Sequence, residues 1–255
     1  MESDERTGTG LPASIELAWG IRTPPRRGPK RGLSLERIVA AARAVADAQG
    51  LRAVSMGRVA TELGAATMSL YRYVATKDEL HTLMVDAAYG PPPDVPPPGQ
   101  GWRGGLGHWA RAERDVLRAR PWILQVPVSG PPTAPNVVCW MERALRCLEG
   151  TNLDAGERLG ALQLVTGFVR SQIQLETQIA AAHGAGDVPE GAAHGYGAQL
   201  AALTDRERFP AVHAVLDSGV LDVGPEPDDP DEDFDFGLDR ILDGIGALVA
   251  RRDPG

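Results

Sequence analysis

Apolar residues recur at helical spacing from Leu35 onward. Leu35, Ile38, Val39, Ala42, Val45 and Ala46 form one stripe, with Ser34 before it as an N-cap, Glu36 in the first turn and Gly50 after it as a stop. A shorter stripe of Met56, Val59, Ala60 and Leu63 follows Ser55 and is broken by Gly64. Only Ala65 and Ala66 separate it from Thr67, which can cap a third short helix carrying Leu70, Tyr71 and Val74. Thr76-Lys77-Asp78-Glu79 has the form of a capping box, in which the Thr hydroxyl and the Glu carboxylate satisfy each other's backbone N–H groups. It predicts a fourth helix with Leu80, Leu83, Met84, Ala87 and Ala88, stopped by Gly90 and Pro91 to Pro93. Further helices are predicted over 102–118, 121–127, 134–149, 154–183, 205–218 and about 234–251. The stretch 154–183 is apolar nearly all round, with Leu159, Leu162, Val165, Phe168, Val169, Ile173, Leu175 and Ile179, which predicts burial on several sides. The last helix places Leu238, Ile241, Leu242, Ile245, Leu248 and Val249 on one broad face. No stretch alternates like a strand, so the fold class is all-α.

Punctuation divides the chain. Residues 1–33 read as a flexible basic arm, 34–90 as a helical head, 91–101 as a Pro-rich segment and 102–255 as a larger helical domain. The run Pro-Pro-Pro-Asp-Val-Pro-Pro-Pro-Gly-Gln-Gly suits a stiff linker, or a polyproline segment read by a partner. The Gly/Ala-rich stretch 184–198 reads as a mobile loop and the acidic run 226–235 as a solvated one.

Two short helices joined by a tight turn are the sequence form of a helix-turn-helix. The crossing needs a small residue, which Ala60 supplies, and the turn needs a permissive backbone, which Gly64 supplies. Val59, Leu63 and Leu70 bridge the pair, and the helix over 35–49 braces it. An ordinary helical hairpin has the same pattern, so spacing alone leaves both open.

Charge sharpens the picture. The 255 residues carry a net charge of −8, yet residues 20–77 hold 11 Lys and Arg against 3 Asp and Glu, a local +8. Screening over roughly 8 Å hides the distant acidic surface, so such a block can grip phosphates. It equally suits a plain soluble face. Cys139 and Cys147 lie eight residues apart, too far along one helix for a disulfide within it. With no run of 18 apolar residues and an acidic start lacking an apolar core, a reduced cytoplasmic protein with no membrane partner is expected. His81, His108, His183, His194 and His213 have no metal-ligand spacing, and no nucleophile elbow or phosphate loop occurs, so neither metal nor cofactor is expected. A helical enzyme and a DNA-binding protein without an effector are the alternatives kept.

The stretch Val59-Ala60-Thr61-Glu62-Leu63-Gly64-Ala65-Ala66-Thr67-Met68-Ser69-Leu70-Tyr71-Arg72-Tyr73-Val74-Ala75-Thr76-Lys77-Asp78-Glu79-Leu80 resembles the signature of the tetracycline-repressor (TetR) family, and the likeness extends over 34–85. Phe234-Asp235-Phe236-Gly237-Leu238-Asp239-Arg240-Ile241-Leu242 resembles the last helix of a tetracycline-repressor-type C-terminal domain. The resemblance implies an N-terminal three-helix helix-turn-helix head and a helical ligand-sensing and dimerisation domain. It implies a repressor that binds double-stranded operator DNA as a homodimer, is released by a small organic effector, and works in the cytoplasm, on the nucleoid when bound. By position, Thr67, Met68 and Ser69 would face base edges in the major groove. Tyr71, Tyr73 and Lys77 would hold phosphates, and Ser55 and Arg58 would touch the backbone. Arg26, Arg27, Lys30 and Arg31 would enter a minor groove, as homeodomain-type arms do, or belong to a plain tail. The resemblance places dimerisation on 154–183 and 234–251 and the effector among Trp109, Trp122, Gln125, Trp140, Arg143, Phe168, Gln172 and Glu176, aromatics and polar groups suited to a flat organic molecule. Pro91 to Pro93 and Gln125 stand where the family's founding member needs histidines, so a metal–tetracycline ligand is not expected.

Overall fold

The computed structural model describes residues 9–23, 33–94, 101–128, 130–184, 195–221 and 231–252. All regular structure among them is helical: α1 (Ala13–Ala18), α2 (Leu35–Gln49), α3 (Met56–Glu62), α4 (Thr67–Leu70), α5 (Lys77–Tyr89), α6 (Gly101–Ala119), α7 (Pro135–Cys147), α8 (Ala155–Gly184), α9 (Tyr196–Leu203), α10 (Pro210–Asp217) and α11 (Glu232–Arg252).

Local chemistry sets the ends of the head helices. Ser34 and Ser55 accept hydrogen bonds from the Arg37 and Arg58 backbone N–H groups, and Thr76 accepts one from Glu79. The Glu79 carboxylate does not return to Thr76 as a standard capping box would. Its Oε2 accepts from the Ala75 N–H at 3.0 Å and from the Ser14 hydroxyl at 2.7 Å. The residue before α4 is Ala66, and Thr67 is its first helical residue rather than its cap. Ile38, Ala42, Val54, Val59, Leu70, Val74, Leu80 and Met84 are completely or almost completely buried, so α2 to α5 close around one small core.

The arm expected over 1–33 contains a folded element. Ser14 and Ile15 of α1 are buried against α2 and α5, and the Trp19 indole donates to the Thr133 carbonyl at 2.7 Å. A six-residue helix escapes a periodicity search because two buried positions make no stripe. Residues 24–32, with Arg26, Arg27, Lys30 and Arg31, lie outside the described residues, as do 95–100 of the linker.

The larger domain packs α6, α7 and α8 with α11. Asp154 and Glu157 cap α8 reciprocally at 2.9 and 3.0 Å, and Arg252 at the end of α11 reaches Glu157 at 2.6 Å. At the other end Arg118 makes two 2.9 Å bonds to Glu176 and one of 2.6 Å to Asp231, so α8 and α11 run antiparallel with an ion pair at each end. The approach between them is close: a Cβ on Gly237 would lie 2.6 Å from the Phe168 ring. The expected helix over 121–127 is a 310-helical turn, Pro121–Gln125. The region expected as loop up to 198 already turns helical at Tyr196, and the following helix is shorter than the expected 205–218. On α8, Val165, Val169 and Ile173 are buried while Leu164 and Leu175 are about half exposed, so the protomer covers one face and leaves the other open.

Candidate functional site

The sequence Met56–Leu70 builds a surface from a buried frame. Val59, Ala60 and Leu70 face inward, Gly64 turns the chain at φ +60°, and its neighbours Ala65 and Ala66 leave no bulk between the helices. The outward face is then fixed. Met68 is 74% exposed and Tyr71 44%, and Thr67 and Ser69 flank Met68 half-exposed. Lys77 is exposed at the first position of α5, where the free N–H groups and the helix dipole already favour an anion.

The other expected contacts are engaged within the chain. Ser55 spends its hydroxyl as a cap, and Arg58 pairs with Glu62 at 2.7 Å. Tyr73 donates its hydroxyl to the Leu33 carbonyl at 2.8 Å, which ties the turn after α4 to the segment before α2 and leaves only its oxygen lone pairs for another partner. Arg72, exposed between the two tyrosines, is a further cation on this face. Its signal in the sequence was its place beside Tyr71, in the turn that follows α4.

The eight residues expected at the effector do not converge. Trp109 and Trp140 do meet, edge to face at 5.9 Å, and Tyr89 joins Trp140 at 5.4 Å. Their indole N–H groups are used internally: Trp109 donates to the Trp140 carbonyl and Trp140 to the Gly90 carbonyl, each at 3.0 Å. Trp122 faces the head, where it donates to Asp47 on α2 at 2.7 Å. Phe168 packs on Phe234 of α11 at 5.4 Å, and Glu176 is held by Arg118. Gln125 is exposed beside a shallow groove of about 120 Å³, while Arg143 and Gln172 are half-buried elsewhere.

A polar group not foreseen from sequence lies at the aromatic cluster. Glu113, one helical turn beyond Trp109 on α6, is 3% exposed. Its Oε1 accepts from the Tyr89 hydroxyl at 3.1 Å, and Oε2 completes no hydrogen bond. Burial pushes its carboxyl up to about 7, although Tyr89, Arg170 and Thr166 favour the ionised form. The same burial pushes the Tyr89 phenol up. A lone glutamate in a helical pattern reads as a surface residue, which is why no periodicity marks it. Tyr89 ends α5, and α5 is also tied to α7: Asp86 accepts from the Val137 N–H and the Asn136 amide, both at 3.0 Å. The head and the larger domain are thus joined at α5–α7, Asp47–Trp122 and Trp19–Thr133. Among the described residues no cluster of three or more His, Cys, Asp or Glu could hold a metal.

Residues 38–82 match the family model described as bacterial regulatory proteins, tetR family, and residues 95–249 match the tetracyclin repressor-like C-terminal domain. An HTH-type transcriptional repressor, DrrR1 of Streptomyces coeruleorubidus, is 38% identical, covering 98% of this chain and 91% of that protein. ActR of Streptomyces coelicolor in complex with actinorhodin superposes with a TM-score of 0.68 at 27% identity, over 86% of this chain and 99% of that one. Apo ActR superposes at 0.69 with 24% identity, over 89% and 100%.

Proposed function

The chain belongs to the TetR family of bacterial transcriptional regulators, and from that premise we propose that it is a repressor that leaves its operator when a small organic molecule binds. The carrying observation is the face of α4: an exposed Met68 between Thr67 and Ser69, set on a buried frame and flanked by Tyr71, Arg72 and Lys77. Met68 can pack on a thymine methyl, the two hydroxyls can bond base edges, and the cations and Tyr71 hold phosphates. The complex of a 27%-identical neighbour with actinorhodin supports an organic effector for this chain.

Reading a palindrome requires two heads. The exposed Leu164 and Leu175 of α8, together with the 64%-exposed Phe236 of α11, support a two-fold dimer through these helices. Half-sites would then lie about 34–36 Å apart or a related spacing. Leu242 and Ile245, expected in that interface, are buried inside the protomer at 3% and 5% exposure, so the informative double variant is Leu164→Glu with Leu175→Glu. It should sediment as a monomer; an unchanged dimer would place the interface elsewhere. Among the described residues no helix is long and apolar enough to cross a membrane. The relatives are regulators, and the cytoplasm, on operator DNA, is the site of action that fits.

The test is selection of duplex DNA by the full-length protein, followed by titration of the selected complex with actinorhodin as first effector probe. A pseudo-palindrome released by the probe supports the reading, and absence of any selected sequence would overturn it. The closed, internally bonded indoles favour a second reading, a DNA-binding protein without an effector, which predicts an operator complex that no organic ligand loosens.

A further inference from the structure

Glu113 combines three features that no packing role explains together. It is buried, its Oε2 completes no hydrogen bond although the Thr166 hydroxyl faces the carboxyl, and its Oε1 holds the last residue of the helix that carries the DNA head. An unsatisfied buried acceptor is costly to keep, and a donor arriving from outside would recover that cost. Its surroundings are flat and aromatic, with Tyr89, Trp109 and Trp140 in mutual edge contact.

We propose that Glu113 is the polar anchor of the effector site: a planar organic molecule bearing a hydroxyl bonds to Oε2 and draws the carboxyl away from the Tyr89 hydroxyl on Oε1, freeing the end of α5. The proposal rests on the ligand-released reading above and names the group that ligand must meet. A hydroxyl is the matching chemistry because it donates to a carboxylate and accepts from a carboxylic acid, and burial holds this carboxyl between the two near neutral pH. A cationic ligand fits less well, since Arg170 already faces the pair from α8. Tyr89 is packed on Trp140 and bonded to Glu113, so the ligand reaches the carboxyl by moving Tyr89. Tyr89 lies three residues beyond Asp86, which caps α7, and one before Gly90, whose carbonyl takes the Trp140 N–H. Displacing it therefore loosens the joint between head and sensor, where a small tilt of α5 separates two recognition helices.

The test uses the full-length protein and two probes, anthraflavic acid (a planar dihydroxyanthraquinone) and its dimethyl ether, followed by quenching of tryptophan fluorescence. The wild type should prefer the dihydroxy compound by about tenfold or more, the scale of a hydrogen bond to a charged group. Glu113→Leu should lose that preference. Glu113→Gln, which keeps shape and fold, should weaken the dihydroxy compound selectively. Tyr89→Phe, which removes the competing donor, should bind it more tightly than wild type while its operator complex becomes less sensitive to it. An unchanged hydroxyl preference in both Glu113 variants would overturn the anchor, yet leave ligand release standing if actinorhodin still frees the operator. Failure of the wild type to bind the dihydroxy probe would overturn the ligand class proposed.

Discussion

Replacing Glu113 by Gln should stabilise the protein at pH 8 and not at pH 4. The carboxyl sits at about 7 in the folded state against an ordinary 4.5, raised by burial. The native state therefore holds its proton at pH values where the unfolded chain has lost it. Below 4.5 both states are protonated and the group contributes nothing through ionisation. As pH rises from there to about 7 the wild type loses stability, and above that value the loss is complete at about 3 kcal/mol. Glutamine keeps the shape and the acceptor for Tyr89 but cannot ionise. The assay is urea unfolding of both proteins at intervals from pH 4 to 9, reading only the difference between them, so that every other titrating group cancels. The difference should move toward the variant by about 3 kcal/mol across that window. A difference independent of pH would refute the reasoning and place Glu113 in contact with water.

Other variants test other joints. Gly237→Ala should cost about 1–3 kcal/mol and several degrees in Tm, because its Cβ would meet the Phe168 ring at 2.6 Å; Gly244→Ala in the same helix has open space and should stabilise by up to about 1 kcal/mol. Ile15→Ala should cost about 2 kcal/mol or more in denaturant unfolding, since Ile15 is 2% exposed; an unstructured arm would lose nothing. Asp47→Ala should cost about 1–3 kcal/mol by orphaning the buried Trp122 N–H, with faster hydrogen exchange at the junction of head and sensor.

Long elements with a clear period were legible in the residues, and so were their caps. Ser34, Ser55 and Thr76 each cap the helix they precede, and α5 and α11 run close to their predicted spans. The head is legible because its frame is local: Ala60, Gly64 and Leu70 meet within about a dozen residues of chain. Short elements were not. The helix α1 has two buried residues and is held through Ser14 and the following Trp19 by Glu79 and Thr133, 65 and 114 positions away. The sensor was the hardest to read, because an aromatic on an apolar stripe does not disclose which neighbour it faces. Trp122 turned to the head and Phe168 to α11, whereas Trp109 and Trp140 met. The buried Glu113 was invisible for a related reason: its environment is made by Tyr89 of one helix and Arg170 of another, and nothing on its own helix announces it.

The salt dependence of operator binding tests most directly whether the α4 face reads DNA. Wild type, Lys77→Ala and Ser69→Ala would be titrated onto one selected operator and its single-base variants over a range of salt concentrations. Lys77→Ala should lower the slope of log affinity against log salt by about one and leave base preference alone. Ser69→Ala should keep the slope and lose roughly 1–3 kcal/mol of discrimination at one base pair. Slopes and preferences unchanged in both variants would show that DNA is held by some other surface of the chain.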